Sequence, residues 1–93
     1  MKIYQSRTFE NKIKKFSQQE KEILDKEVKK IIEDPLTGEE KKGDLRGIYV
    51  YKFKIKSIQY LLSYRMIKTG LELIMIGPHE NYYRDLEGYL KRR

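Results

Sequence analysis

The sequence predicts an α+β fold in which an N-terminal strand and two consecutive helices precede a small antiparallel sheet. Apolar residues in the first third of the chain recur at helical spacing. From residue 48 onward they alternate with a period of two, which is typical of strands with one buried face. Helices followed by a run of strands indicate the α+β class. A length of 93 residues is that of one domain, so we expect a single domain over residues 1–93.

The N-terminal third predicts a short strand over Lys2–Thr8 and then two helices. The first helix is indicated by three apolar side chains at helical spacing: Phe9, Ile13 and Phe16. Ser17 and Glu20 have the spacing of a capping box and predict the start of the second helix. This helix carries an apolar stripe formed by Ile23, Leu24, Val28, Ile31 and Ile32. It should end at Asp34, because a residue before proline avoids the helical conformation.

The remaining two thirds predict a loop, three strands and a closing helix. Residues 35–47 combine three glycines, a proline and mixed charges, so we expect a loop. Residues 48–56 alternate between an aromatic face (Tyr49, Tyr51, Phe53, Ile55) and a lysine face (Lys52, Lys54, Lys56). The chain can turn within Lys56–Gln59. Tyr60–Ile67 is apolar on almost every position and should be the central strand, and Leu71–Ile76 should be the third. A helix starting near Asn81 gives the order β-α-α-β-β-β-α.

The net charge of +7 is concentrated in one part of the chain. Residues 1–40 and residues 69–93 each carry equal numbers of acidic and basic side chains. Residues 41–68 carry eight basic side chains and a single acidic one, Asp44. Such a local excess favours a polyanion or an acidic protein as the partner, although a solvated lysine face gives the same pattern.

Composition excludes several classes of protein. The chain has no cysteine and one histidine, which excludes a disulfide scaffold, a thiolate metal site and a multi-histidine zinc site. We therefore expect no metal and no cofactor. No apolar run approaches the ~20 residues that cross a bilayer, and no signal peptide is evident. These features predict a cytoplasmic protein that does not associate with membranes.

Three features have chemical potential, each with a plainer alternative. Lys52, Lys54 and Lys56 would line one strand face about 7 Å apart and attract a phosphate chain, or would simply discourage pairing of an edge strand. His79 follows a Gly-Pro turn, where an imidazole can transfer protons near neutral pH or pack as an ordinary ring. Tyr83 should point outward near His79 if Tyr82 points inward, because adjacent helical residues differ by about 100°. The plainer alternative is that the Tyr83 ring serves only in packing.

Nearly the whole chain resembles the RelE/ParE superfamily of toxins from bacterial type II toxin–antitoxin systems. The resemblance is carried by the two-helix start, the loop ending Asp44–Gly47, the Tyr51–Lys54 strand, the hydrophobic strand Tyr60–Ile67 and the closing segment Gly77–Leu86. Members of this superfamily pack a helical hairpin on a small antiparallel sheet. RelE-type members cut mRNA in the ribosomal A site without a metal, by attack of a ribose 2′-hydroxyl on its own phosphate.

The resemblance implies roles for individual residues. Lys52 and Lys54 match the RelE-type lysine pair, and Tyr83 matches the closing tyrosine. His79 occupies a position where RelE-type members carry arginine and where other ribonuclease branches use histidine nearby. Leu61 occupies a position where arginine is expected. We therefore expect Lys52, Lys54, His79 and Tyr83 to be catalytic; the residues expected to bind RNA are Arg46, Lys56 and Arg65.

The implied function is that of a ribosome-dependent mRNA endonuclease that inhibits translation. Its partners would be the ribosome, mRNA and an acidic or amphipathic cognate antitoxin, in a toxin–antitoxin hetero-oligomer. The sequence leaves open the codon preference, the identity and stoichiometry of the antitoxin, and which residue is the general base.

Two other functions remain open at this stage. A ParE-like inhibitor of DNA gyrase would keep its toxicity when Lys52 and Lys54 are replaced by alanine. A binding module without activity would not arrest growth when expressed without a partner. The combination of Lys52, Lys54, His79 and Tyr83 favours RNA cleavage over both alternatives.

Overall fold

The computed structural model describes residues 2–92 and confirms the α+β class. The strands and helices of this range are β1 (Lys2–Gln5), α1 (Arg7–Ile13), α2 (Gln18–Glu33), β2 (Glu39–Glu40), β3 (Tyr49–Ile55), β4 (Ile58–Ile67), β5 (Gly70–Pro78) and α3 (Tyr82–Lys91). A short 3-10 helix at Gly43–Leu45 precedes β3. Within residues 2–92, no helix is long and apolar enough to cross a membrane.

The sheet has the strand order β1-β5-β4-β3-β2, and the expected antiparallel sheet of β3, β4 and β5 is confirmed. Strands β2 to β5 pair antiparallel, whereas β1 lies parallel to β5. No hairpin fixes the direction of β1, because its partner is at the other end of the chain. The backbone of β1 passes so close to Gly70 that a Cβ there would lie 1.8 Å from the carbonyl oxygen of Lys2. A residue without a side chain at this position therefore permits the parallel pairing.

Two strand boundaries differ from the prediction. Strand β1 ends at Gln5, because Ser6 caps α1 by accepting a 3.0 Å hydrogen bond from the Phe9 N–H. Strand β4 begins two residues early, at Ile58, because the chain turns within Lys56 and Ser57. Lys56 has a φ of 54°, a left-handed conformation that cannot continue a strand. The predicted row of three lysines on one strand is therefore wrong, and two remain.

The segment 35–47 is more ordered than the predicted loop. Glu39 and Glu40 form β2 opposite Val50 and Tyr49. The Tyr64 hydroxyl donates to the Pro35 carbonyl at 2.7 Å and accepts from the Gly38 N–H at 3.0 Å. A Cβ at Gly38 would lie 2.7 Å from that hydroxyl oxygen. The hydrogen bonds of the Tyr64 hydroxyl fix the chain just before β2. The sequence did not predict β2, because two paired residues are too few to show the alternation of a strand.

Helices α1 and α2 cover one face of the sheet, as predicted. The Ser17 N–H donates to Glu20 at 2.7 Å and the Glu20 N–H to the Ser17 hydroxyl at 3.2 Å, which confirms the capping box. Helix α2 ends at Glu33, also as predicted. The first core, between these helices and the sheet, consists of Phe9, Leu24, Ile31, Phe53, Ile55, Leu62, Tyr64, Leu71, Leu73 and Ile76.

Helix α3 covers part of the opposite face and encloses a second core. This core consists of Leu45, Ile48, Val50, Leu61, Ile74, Met75, Tyr82 and Leu86. The β4–β5 register shifts after Ser63, which pairs with Met75, so that Tyr64 pairs with Leu73. The extra residue of this bulge, Ile74, allows two consecutive side chains of β5 to enter the second core. The part of this face that α3 leaves uncovered is the candidate site.

Candidate functional site

Two lysines project from β3 beyond the end of the second core. Lys52 and Lys54 are exposed and alternate with Phe53 and Ile55, which are buried in the first core. They therefore share the α3 face of the sheet, about 7 Å apart. Neither forms an ion pair within 4 Å in the described part of the chain, residues 2–92. Both ammonium groups are available to an anionic ligand.

The neighbouring strands bring His79 to the same level as these lysines. Lys54 lies opposite Gln59 on β4, and the Gln59 carbonyl accepts a 3.3 Å hydrogen bond from the His79 N–H. Adjacent strands are about 4.8 Å apart, so the Cα atoms of Lys54 and His79 are separated by about 10 Å. The His79 side chain is exposed and completes a row across three strands.

The two tyrosines at the start of α3 have different environments, as predicted. The Tyr82 hydroxyl is buried within 2.8 Å of both Ser63 Oγ and the Met75 carbonyl oxygen, and burial raises the pKa of Tyr82 far above its usual value. Tyr83 is half-buried. Its ring and the His79 ring meet edge to face, with 6.3 Å between the two ring centroids. Tyr82 thus anchors the helix, whereas Tyr83 borders the candidate site.

A third cation, Lys41, reaches this site and was not predicted from the sequence. Its N–H donates to the Ile48 carbonyl at 2.9 Å, which aligns the chain beyond β2 with β3. Its Nζ lies 5.0 Å from the centroid of the Tyr83 ring and forms an ion pair with Glu39. The hydrogen bond to Glu39 raises the pKa of Lys41, with a further contribution from Tyr83. Nothing in the local sequence distinguishes Lys41 from its neighbour Lys42, because the contact depends on where α3 begins.

Arg65 does not join the site. It lies on the same sheet face as Leu61, but about 13 Å farther along β4. Its Nε donates to Glu72 Oε1 at 2.7 Å, and Glu72 lies directly opposite on β5. Leu61 itself is fully buried in the second core. The position where the resemblance leads one to expect an arginine therefore belongs to the core, and Arg65 does not replace it.

The two remaining candidates lie at the periphery. Arg46 is exposed after the 3-10 helix, and no hydrogen bond or ion pair in residues 2–92 involves its guanidinium. Lys56 lies in the β3–β4 turn, where its charge acts on Glu20 at the start of α2. The pKa of Glu20 is lowered mainly by its hydrogen bond from the Ser17 N–H, and only secondarily by Lys56.

The open surface consists of two adjoining depressions that share Lys52. One is lined by Lys52, Phe53, Lys54 and Gln59. The other is lined by Thr37, Glu39, Val50, Tyr51 and Lys52. Ammonium groups can bind a phosphate, and an imidazole beside a phenol can transfer protons. Within residues 2–92, no group of three or more histidine, cysteine, aspartate or glutamate side chains could hold a metal ion.

The fold has clear relatives among solved structures. A chain of the intact Escherichia coli RelBE toxin–antitoxin complex is 22% identical, with a TM-score of 0.65 over 84% of this chain and 95% of that chain. A free E. coli RelE variant with two arginines replaced by alanine is 21% identical, with a TM-score of 0.70 over 96% and 94%. The isolated E. coli RelE toxin is 20% identical, with a TM-score of 0.64 over 98% and 97%. No curated protein matches the sequence.

The TM-scores of these three structures show that they share the fold of this chain, which confirms the expected architecture. A family model goes further: the ParE-like toxin of type II bacterial toxin–antitoxin systems matches residues 3–87, nearly the full length of the chain. The resemblance stated from the sequence is thereby confirmed. The chain belongs to the family of ParE-like toxins of type II bacterial toxin–antitoxin systems.

Proposed function

We propose that this toxin is a ribosome-dependent mRNA endonuclease that inhibits translation. The observation that carries the proposal is the meeting of Lys52, Lys54, His79 and Tyr83 on the open part of the α3 face. Cleavage of RNA by its own 2′-hydroxyl requires a base, an acid and cations around the phosphate. The four side chains supply all three kinds of group.

The chemistry assigned to the site is an internal displacement at phosphorus. The 2′-oxygen bonds to the phosphorus as its proton passes to a base, and the bond to the 5′-oxygen breaks as that oxygen gains a proton. The products are a 2′,3′-cyclic phosphate and a free 5′-hydroxyl. Lys52 and Lys54 bind the phosphate and stabilise its developing negative charge. His79 transfers a proton as base or acid, and Tyr83 orients it or shares the transfer.

Binding of the message extends beyond the reacting phosphate. Arg46 and Lys56 are exposed cations at the periphery and are proposed to contact mRNA or ribosomal RNA. Arg65 is omitted from this set, because its guanidinium is paired with Glu72 away from the site.

The proposed macromolecular partners are the ribosome and a cognate antitoxin. The net charge of +7 favours an acidic or amphipathic antitoxin that covers the basic surface in a hetero-oligomer. One structural relative is a chain of a toxin–antitoxin complex, which supports this expectation. Action on the ribosome would place the toxin in the cytoplasm.

A second candidate function is inhibition of DNA gyrase without nuclease activity. It is favoured by the description of the matching family as ParE-like. It predicts that replacing Lys52 and Lys54 together by alanine leaves growth arrest intact and that signs of DNA damage accompany the arrest. The exposed, unpaired state of these two lysines favours the nuclease instead.

Primer extension on a defined message in a purified translation system tests the proposal. We expect wild-type toxin to cut only when ribosomes are present, and His79→Ala to lose the cuts. Glu80→Ala serves as the matched control, since Glu80 is exposed in the same turn, and it should still cut. Intact message despite growth arrest in cells would contradict the proposal, and a gyrase supercoiling assay would then test the second candidate.

A further inference from the structure

An acidic side chain lies inside the cationic site. The Glu39 carboxylate forms an ion pair with Lys41, and Glu39 and Lys52 line the same depression at the edge of the sheet. The charges of Lys41 and, more weakly, Lys52 lower the pKa of Glu39. A carboxylate thus lies beside the Lys41 ammonium, in the depression that it shares with Lys52, where a phosphate of similar charge would bind.

The two partners of this ion pair are held very differently. The Glu39 side chain is 71% exposed, whereas that of Lys41 is only 20% exposed. The Lys41 ammonium also contacts the ring of Tyr83, at 5.0 Å from the ring centroid. Glu39 can therefore rotate into solvent while Lys41 keeps its position. An exposed ion pair of this kind contributes little to stability, so a stronger anion can displace the carboxylate.

The site is accessible because β2 is short. Its two residues cover β3 only at Tyr49 and Val50, and within residues 2–92 no strand pairs with the outer edge of β3 from Tyr51 onward. A ligand that approaches this edge meets Lys52 first and then either adjoining depression. One phosphate of a chain could thus bind between Lys52 and Lys54 while a neighbouring phosphate binds between Lys52 and Lys41.

We propose that Lys41 and Lys52 form a second phosphate subsite for RNA, and that the Glu39 carboxylate occupies this subsite until RNA displaces it. The inference rests on the proposed function, since its ligand is the RNA that the toxin is proposed to cut. Binding there would also place a phosphate beside Tyr83, whose ring contacts both Lys41 and His79.

Glu40 provides a matched control next to Glu39 in the sequence. Both glutamates are exposed on β2, but they project to opposite faces of the sheet. Glu40 accepts a 3.4 Å hydrogen bond from the Tyr49 hydroxyl, on the side of the first core. Replacing either glutamate by glutamine changes the net charge equally, so a difference between the two variants reports the position and not the total charge.

The test is binding of a fluorescent 2′-O-methyl RNA oligonucleotide, measured by anisotropy at low salt with the full chain. This probe has no free 2′-hydroxyl and cannot be cut. We expect Glu39→Gln to bind it up to about five-fold more tightly than Glu40→Gln, the range that the energies of exposed ion pairs allow. Lys41→Met should weaken binding and abolish the advantage of Glu39→Gln when the two changes are combined. Lys41→Arg in place of Lys41→Met should restore both the binding and the advantage of Glu39→Gln.

Equal affinities of Glu39→Gln and Glu40→Gln would overturn the proposal, as would an advantage of Glu39→Gln that persists without Lys41. The same proteins tested for message cleavage on ribosomes separate this inference from the proposed function. Tighter binding by Glu39→Gln without any cleavage by wild-type toxin would refute the endonuclease and leave the subsite intact. Cleavage by wild-type toxin, with equal binding by Glu39→Gln and Glu40→Gln, would support the endonuclease and refute the subsite.

Discussion

The two faces of the sheet differ at β3: one side of this strand is covered by a helix, and the other is partly open to solvent. On the helical side, β3 packs against α2, and Phe53 is 8% exposed and Ile55 is 1% exposed. On the other side, α3 stops short of the end of β3 and leaves Lys52 and Lys54 in solvent. Buried side chains and the two lysines proposed for catalysis therefore lie on opposite sides of the same four residues. Substitutions on the closed face should change folding, and those on the open face should change activity.

The closed face gives the largest expected effect. Ile31 lies on α2 with no exposed surface, and Ile31→Ala should lower the free energy of unfolding by about 2–5 kcal/mol, because the cavity it leaves is enclosed on all sides. Urea denaturation of the full chain measures this loss. Leu36→Ala is the control, since Leu36 is 65% exposed and its replacement should change stability by less than about 0.5 kcal/mol. Similar losses in the two variants would contradict a closed first core.

The adjacent tyrosines of α3, Tyr82 and Tyr83, test whether effects on stability and effects on cleavage can be separated. Tyr82→Phe removes a buried hydroxyl and should cost about 1–2 kcal/mol of stability, with little change in cleavage per folded molecule. Tyr83→Phe should leave stability unchanged and slow cleavage about ten- to hundred-fold, since it touches the site through His79 and Lys41. Denaturation and single-turnover cleavage on ribosomes measure the two properties. A reversed pattern would place the site elsewhere.

Arg65 should give the smallest effect. It is a cation on the open face of the sheet, but it is paired with Glu72 and lies away from Lys54 and His79. Arg65→Met should cost at most about 1 kcal/mol of stability and leave the cleavage rate within about two-fold of wild type. A ten-fold fall in rate at unchanged stability would show that Arg65 binds the message after all.

Local patterns predicted the parts of the molecule that depend on near neighbours. The capping box at Ser17 and the alternation along β3 were readable because their partners are a few residues away or on the same strand. The direction of β1 could not be predicted from local patterns, because its partner strand is β5 at the far end of the chain. The turn after β3 was expected within Lys56–Gln59 and is confirmed at Lys56 and Ser57. The inclusion of Lys56 in the lysine row was wrong, because a left-handed residue leaves no mark on a polar and apolar pattern.

Four of the residues proposed for the site could be identified from the sequence, again because the signals are local. Lys52, Lys54, His79 and Tyr83 were identified from strand alternation and a family resemblance, and the structure brings them to one surface. Lys41 was missed because its contact with Tyr83 joins the segment before β3 to the start of α3. A resemblance does not reveal such contacts when the residue types involved are common on protein surfaces.

The contrast between the two faces is tested most directly by two lysine pairs of equal charge. One variant carries Lys52→Ala and Lys54→Ala on the open face, and the other carries Lys26→Ala and Lys29→Ala at exposed positions of α2. Each loses two positive charges, and single-turnover cleavage of a defined message on ribosomes is measured for both. We predict a loss of at least about hundred-fold for the first variant and less than about three-fold for the second. Equal losses would mean that total charge, and not the open face, carries the activity.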